Sequence, residues 1–547
     1  MRDRVVIFLV FAALVIPAAV GRGFWDPDEG RYGEVAREVW QGDGAVVMHL
    51  NGEIYTQKPP LFFWLVAGSQ ALAGSATAAA SRIPSALATL LTALMLYGIV
   101  TKTHGRREAL AAAVILLTSM LVIQMGLWVG IDALVMALVT GCVYLQVRGE
   151  SRRSGHVLRM AGIAVLAAGI VLAKVGPVFI ALVALGTGAV LDRGWRGLFP
   201  RHLFWSVPLF LGVLALWVLP AAREGGWDYI AGLSVEQAGK RLVTATSHGR
   251  PIWYYLVRFP VLFLPFAVLI PATVVYLVRE CRTGGRDWRR TLRYVLWFTL
   301  PFIVFTLVSG KRERYILPLF VPAAALTGIV LIRLNAGRAF VNLVRRPLKG
   351  VLILLGILGL AVAAAPFLLQ SAVLPRLDGI PAVQAVDLLA RIQGGAWILI
   401  LGGLSAVLAA LEGLLRRRDE APAAPVCAAT VFIVFALSVV VLPALDTVKS
   451  YAPLVREVRM AAPDAEIGIS GLAPGPFCLA LLSDEVPSFD RMDPETTVAA
   501  LLDEDRDLVV IVPRKDLGYW GNVAGEKLRM VAARQVGRRY LVAVRRR

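Results

Sequence analysis

Thirteen apolar runs, each long enough to cross a bilayer, alternate with short polar segments along the chain. They fall at roughly 5–22, 83–101, 108–126, 130–147, 157–174, 176–191, 203–221, 252–278, 291–308, 315–332, 350–371, 395–415 and 425–443. After about residue 443 the pattern changes. Ala465–Ser470, Leu508–Val512 and Tyr540–Val544 are too short to span and read as strands, with helices expected over 496–502 and 526–533. The pattern divides the chain into a polytopic α-helical membrane domain, 1–443, and a small α/β domain, 444–547. The segment Trp25–Pro60 departs from the opening pattern, being long and polar directly after an apolar run.

Composition agrees with a membrane protein: 57% of the 547 residues are hydrophobic, 17% are charged, and the mean hydropathy is +0.68. The net charge of +19 does not point to nucleic acid, because the basic residues sit in short clusters between apolar runs. Arg2 and Arg4, Lys102 to Arg107, Arg148 to Arg159, Arg193 to Arg201, Arg279 to Arg293, Arg333 to Lys349 and Arg416 to Arg418 alternate with loops much poorer in charge. The positive-inside rule then places the N-terminus in the cytoplasm. It puts loop 23–82, loop 223–251, residues 309–314 and the C-terminal domain outside, which in a bacterial inner membrane is the periplasm. The N-terminus has the outline of a signal peptide, but the spans that follow favour a retained first helix. Four scattered cysteines offer neither a disulfide framework nor a zinc spacing.

The candidate chemistry lies mostly in the outer segments. Tyr32, Val35, Ala36, Val39 and Trp40 repeat at helical spacing, so a helix along the membrane surface is expected. Asp26, Pro27 and Glu29 fit its N-cap, first position and capping partner, which leaves Asp28 without a capping duty. Asp28 is then either a solvated surface charge or an ionised acceptor or base. Lys58, fixed by Pro59–Pro60, is a snorkelling lysine or a phosphate contact. Asp132 begins a span, as a cap or as a pocket acid. Lys174 marks a hairpin tip and reads as an interface anchor. His248 is a surface residue or a metal or substrate ligand. The cluster Lys311-Arg312-Glu313-Arg314-Tyr315 breaks the positive-inside trend, and a cationic knot there suits a lipid phosphate or pyrophosphate.

The run Asp28-Glu29-Gly30-Arg31-Tyr32, followed by Ala36-Arg37-Glu38, Gly42-Asp43, Asn51-Gly52, Tyr55 and Lys58-Pro59-Pro60-Leu61, resembles the first periplasmic loop of the GT-C glycosyltransferases. The nearest subgroup is the lipid A aminoarabinose transferase and protein mannosyltransferase superfamily. Asp132, His248 with Pro251 and Trp253-Tyr254-Tyr255, Tyr315 to Pro318, and Asp446 with Lys449-Ser450 continue the resemblance in order.

The resemblance implies transfer of a sugar, 4-amino-4-deoxy-L-arabinose or a hexose, from an undecaprenyl-type polyprenyl phosphate. The acceptor would be lipid A, another envelope glycan or protein. It implies Asp28 and Asp132 as catalytic acids, with Glu29, Arg31, Tyr32, Lys58, Lys311, Arg314 and Tyr315 contacting substrate or carrier phosphate. It also implies a divalent metal, zinc or magnesium, at His248, although Gln57 replaces the acidic ligand before Lys58. A lipid-linked sugar flippase or other transporter is the competing reading. Transporters usually keep ionisable groups near the membrane midplane and show repeated halves, which this chain does not.

Overall fold

The computed structural model describes residues 1–25, 28–149, 155–198, 203–233, 249–284, 287–333, 338–372, 382–416, 422–481, 486–490, 493–518, 520 and 527–547. Ten helices among them are long and apolar enough to cross a membrane, and two bent pairs raise the number to twelve. The remaining predicted run forms the shorter helix Val178–Arg193, of 16 residues.

The bent pairs are Arg106–Leu117 with Met120–Gly126, at 66°, and Tyr254–Leu262 with Phe266–Thr283, at 112°. Each was expected as one continuous span. The first breaks at Thr118-Ser119, whose hydroxyls bond back to Val114 O and Ile115 O. The second breaks before Pro265, which lacks an N–H and keeps its predecessor out of helical geometry. The breaks meet: Met120 N, at the start of one half-helix, donates to Leu264 O at 3.1 Å.

The opening loop folds as expected into a helix, Glu29–Gln41, which ends on the left-handed Gly42. A short hairpin follows, β1 (His49–Leu50) and β2 (Glu53–Ile54). Its turn residues Asn51 and Gly52 both have positive φ, 58° and 76°, as the favoured two-residue hairpin turn requires. Lys58-Pro59-Pro60 then leads into Leu61–Ala73. At 1.5 Å per residue this helix is only about 20 Å long, short of a bilayer.

The first helix of the loop is covered on both sides. Tyr32, Val35 and Ala36 are buried, and so are the charged Glu34, Arg37 and Glu38 on its other side. Helix Gly475–Leu481 of the C-terminal domain covers that side. The approach is so close that a Cβ on Gly30 would lie 2.7 Å from Pro476 Cγ, and one on Gly475 would lie 2.9 Å from Arg31 Cα. Asn51 extends the contact, accepting from Val486 N at 2.8 Å and donating to Val486 O at 3.2 Å.

The C-terminal domain holds a five-stranded sheet of β3 (Glu466–Ser470), β4 (Ser488–Phe489), β5 (Leu508–Pro513), β6 (Leu528–Val536) and β7 (Arg539–Arg546), in the order β4-β3-β5-β7-β6. β3 pairs in parallel with β4 and β5, while β7 runs antiparallel to both β5 and β6. Alternate residues of β5 feed two cores, Val509 and Ile511 on one face and Val510 and Val512 on the other. The helix expected over 496–502 is present as Pro494–Leu502. The one expected over 526–533 is instead strand β6. Its helix-forming residues are overruled by the hairpin to β7, closed at Gly537 with φ 58°. Gly537 N also donates to Val448 O at 2.7 Å, which anchors the sheet to the end of helix Leu442–Lys449.

Candidate active site

Five segments distant in sequence converge on one polar cavity of about 440 Å³. The helix Glu29–Gln41 supplies Asp28 at its N-cap position, with Arg31 and Tyr32 in its first turn. The entry to Leu61–Ala73 supplies Gln57 and Lys58. Ile131 and Asp132 open the helix Ile131–Gly149. Lys174 caps His156–Ala173 in an extended conformation. Arg312, Arg314 and Tyr315 come from the 3₁₀ turn Glu313–Leu319 and the residue before it.

Ionic contacts string these segments together. Gln57 Oε1 accepts from Arg31 Nη1 at 3.0 Å, and Arg31 Nη2 reaches Asp28 Oδ1 at 2.5 Å. Arg314 Nη1 meets Asp28 Oδ2 at 2.6 Å, with its Nε 3.9 Å from Asp132 Oδ2. Lys174 Nζ donates to Asp132 Oδ1 at 2.6 Å and lies 4.5 Å from the centre of the Tyr315 ring. Both carboxylates are nearly sealed from solvent, Asp28 at 5% exposure and Asp132 at 7%. Burial alone would raise the Asp28 carboxyl; the guanidiniums of Arg314 and Arg31, with Arg312 nearby, outweigh it and hold the group below the usual carboxylate range. Burial pushes the Tyr32 phenol up to about 12, so it remains a neutral donor. In all, the lining carries five cationic side chains and two carboxylates, a formal excess of three positive charges.

Asp28, Arg31, Tyr32, Lys58, Asp132, Arg314 and Tyr315 therefore lie together, as does Gln57. Two expected residues do not. Glu29 is fully buried beneath the cavity, where its carboxylate is taken by Arg22 and Arg82. Lys311 turns away to donate to Arg250 O at 3.2 Å, because the 3₁₀ turn presents Arg312 and Arg314 instead. The cap expected of Asp26, and His248, lie outside the described residues.

Lys174, which the sequence suggests as an interface anchor, and Arg312, which it gives only as a member of the 311–315 cluster, both line the cavity. Lys174 carried the same signal as the 311–314 cluster, a cation on the side where basic residues are scarce. Asp446, part of the resemblance, does not line the cavity. It accepts from Gly23 N and Trp25 Nε1, both at 2.9 Å, and steadies the loop before Asp28.

Among the described residues, which do not include His248, no donor set matches the metal implied by the resemblance. Gln57 commits its oxygen to Arg31, and the surrounding cations would repel a second one. Among the described residues no three His, Cys, Asp or Glu side chains converge as a metal site would require.

Solved structures share this fold over nearly the whole chain. ArnT from Cupriavidus metallidurans bound to undecaprenyl phosphate matches 98% of this chain and 97% of its own, with a TM-score of 0.71 at 20% identity. Its apo state matches 99% and 97%, again at 0.71. The fold is that of ArnT.

Sequence comparisons add partial matches. The family model described as dolichyl-phosphate-mannose-protein mannosyltransferase matches residues 57–220. The undecaprenyl phosphate-alpha-4-amino-4-deoxy-L-arabinose arabinosyl transferase of Pectobacterium carotovorum is 32% identical over 332 residues, 59% of this chain and 57% of that protein. The protein of the same name from Pectobacterium atrosepticum is 31% identical over 380 residues, 66% and 64% respectively. The chain thus spans less than two thirds of the length of these curated relatives. The likeness to the aminoarabinose transferases read from the first loop extends across the fold.

Proposed function

We propose that this chain transfers a sugar from a polyprenyl phosphate carrier to an acceptor at the outer face of a bacterial inner membrane. The N-terminus would be cytoplasmic, and the C-terminal domain, 444–547, periplasmic. The observation that carries the reading is the pair Asp28 and Asp132 sharing Arg314 in a cavity with three excess positive charges. A solved GT-C structure holds undecaprenyl phosphate, and the curated relatives are named for a donor of that class.

In the reaction the bond from the anomeric carbon to the phosphate oxygen breaks, and its electron pair stays on the phosphate. Arg314, Arg31, Arg312 and Lys58 are the groups able to stabilise that developing charge. A bond from the anomeric carbon to an acceptor oxygen forms. Where the acceptor is a hydroxyl, its proton passes to Asp28. In the resting cavity Arg314 and Arg31 suppress the basicity of Asp28. Arrival of the carrier phosphate competes for both cations, and burial then raises Asp28 into a more effective base. Where the acceptor is a phosphate such as that of lipid A, no base is needed, and Asp28 orients the sugar instead. Asp132, held by Lys174, faces the same space.

The test is transfer by the purified chain in liposomes, using radiolabelled polyprenyl-phosphate sugars with lipid A, glycan and peptide acceptors. Carrier movement across the bilayer without transfer would refute the proposal. Envelope mass spectrometry of a deletion strain identifies sugar and acceptor.

A further inference from the structure

Glu29 adjoins the catalytic candidate Asp28 but points away from the cavity, and every neighbour of its carboxylate is a donor. Oε2 accepts from Arg22 Nη1 at 2.6 Å, Arg82 Nη2 at 2.8 Å and Trp25 N at 3.0 Å. Oε1 accepts from Arg82 Nε at 2.9 Å, Val129 N at 3.1 Å and Arg22 Nη2 at 3.3 Å. The two backbone amides belong to different approaches: Trp25 precedes Asp28 by three residues, and Val129 precedes Asp132 by three.

The arginines reinforce the same two approaches. Arg22 donates to Leu127 O at 2.7 Å, and its guanidinium lies 4.3 Å from the Trp25 ring centre and 5.3 Å from that of Trp128. Arg82 donates to Ala19 O, Arg22 O and Gly23 O at 2.6–3.0 Å. From the same helix as Arg82, Ser85 Oγ bonds both the amide and the carbonyl of Gly130.

We propose that Glu29 is a positioning residue that fixes Asp28 and Asp132 relative to one another by holding both approach segments on one carboxylate. The inference rests on the transfer reading above for its consequence, and on the contacts alone for its geometry. Stability by itself does not account for the arrangement. A buried ion cluster is weak evidence of stabilisation, since well-packed apolar residues do as well. Only a doubly charged-pair acceptor between the two turns satisfies amides from both. Glutamine, which places an NH₂ among six donors, cannot replace it.

The experiment compares Glu29→Gln and Glu29→Asp with Glu34→Gln. Glu34 lies on the same helix, is equally buried and is paired with Arg37 at 2.6 Å, and its described bonds reach neither approach segment. Glu29→Gln is expected to lower kcat per folded enzyme by about a hundredfold, the cost of misplacing a reacting group by about 1 Å. Donor KM and the Kd for polyprenyl phosphate alone should stay within about threefold. Glu29→Asp should recover part of the loss, and Glu34→Gln should lower the melting temperature without changing kcat beyond about threefold. Equal kcat losses in Glu29→Gln and Glu34→Gln, or none in Glu29→Gln, would overturn the proposal.

A second readout does not depend on turnover. Spin labels on Asp28→Cys/Asp132→Cys, in a background lacking the native cysteines, should give one narrow distance that broadens on adding Glu29→Gln. An unchanged distribution overturns the positioning role even if transfer proceeds. A broadened one with no transfer by the unsubstituted chain sinks the transfer reading and leaves the geometric role standing.

Discussion

Replacing Asp28 by asparagine tests the site most directly, because the structure separates its effects on chemistry, binding and folding. The amide keeps the size of the side chain and removes the charge that Arg314 and Arg31 contact at 2.6 and 2.5 Å. For folding, Arg314 keeps Asp132 within 3.9 Å and is 21% exposed, so its lost partner is partly replaced by water. The cost should be about 1–2 kcal/mol, well below the roughly 3–5 kcal/mol of a fully buried broken pair. For binding, the variant removes the anion that competes with the donor phosphate for two arginines. The formal excess of positive charge in the lining rises from three to four. Donor KM should therefore stay level or fall. For chemistry, general-base catalysis contributes about a hundredfold or more, so kcat should drop by at least that factor, about 2.7 kcal/mol of barrier.

The assay is steady-state transfer in liposomes with a hydroxyl acceptor, with donor binding measured separately by competition with polyprenyl phosphate. The signature is a fall in kcat without a rise in KM. If Asp28→Asn keeps kcat within about threefold, the carboxylate is not part of the chemistry. If KM instead rises tenfold with kcat unchanged, Asp28 binds the donor directly and the proposed competition for Arg314 is wrong. The pH profile adds a check. With its carboxyl held below the usual range, resting Asp28 is ionised throughout neutral pH. Free-enzyme activity should not fall off near pH 5–6 through this group.

Lys58→Met should show the opposite kinetic split from Asp28→Asn, raising donor KM about tenfold with kcat nearly kept, as expected for a phosphate contact present before and during transfer. Gly30→Ala would ordinarily stabilise a helix by about 1 kcal/mol. Here the new Cβ meets Pro476 at 2.7 Å, so a loss of about 1–3 kcal/mol in thermal unfolding is expected. Burial pushes the Glu38 carboxyl up to about 7, although the Asn51 amide bond opposes it. The folded state then holds the proton more tightly than the unfolded one. Stability should fall as pH rises from about 4.5 to 7, by roughly 3 kcal/mol, and Glu38→Gln should flatten that slope in melts at pH 5.5 and 8. Chelation with EDTA should leave most of the transfer activity, given Gln57 in its bond to Arg31. Complete loss restored by zinc would contradict that.

How much of this was legible in the sequence follows from how far apart the interacting residues lie. Asp28, Arg31, Tyr32, Gln57 and Lys58 sit within one loop, so a local window captured their clustering. Asp132, Arg314 and Lys174 come from separate spans, yet each stood out as a charge at a span end, two of them against the basic-residue trend. Glu29 had no such mark. Its local spacing from Asp26 suggested a cap, whereas its partners Arg82 and Val129 lie 53 and 100 residues away. Strand β6 was misread for a similar reason: its residues favour a helix by themselves, and only pairing with β7 decides otherwise.

The charged face of helix Glu29–Gln41 shows most clearly what a local pattern misses. Polar residues at helical spacing fit a solvated face equally well, and the glycines at 30, 33 and 475 let the C-terminal domain close over it. That closure makes the domain a wall behind the helix carrying Asp28 and Arg31. A substitution at Pro476, far from any charge in the cavity, would therefore be felt at the Asp28 carboxylate through the helix backbone.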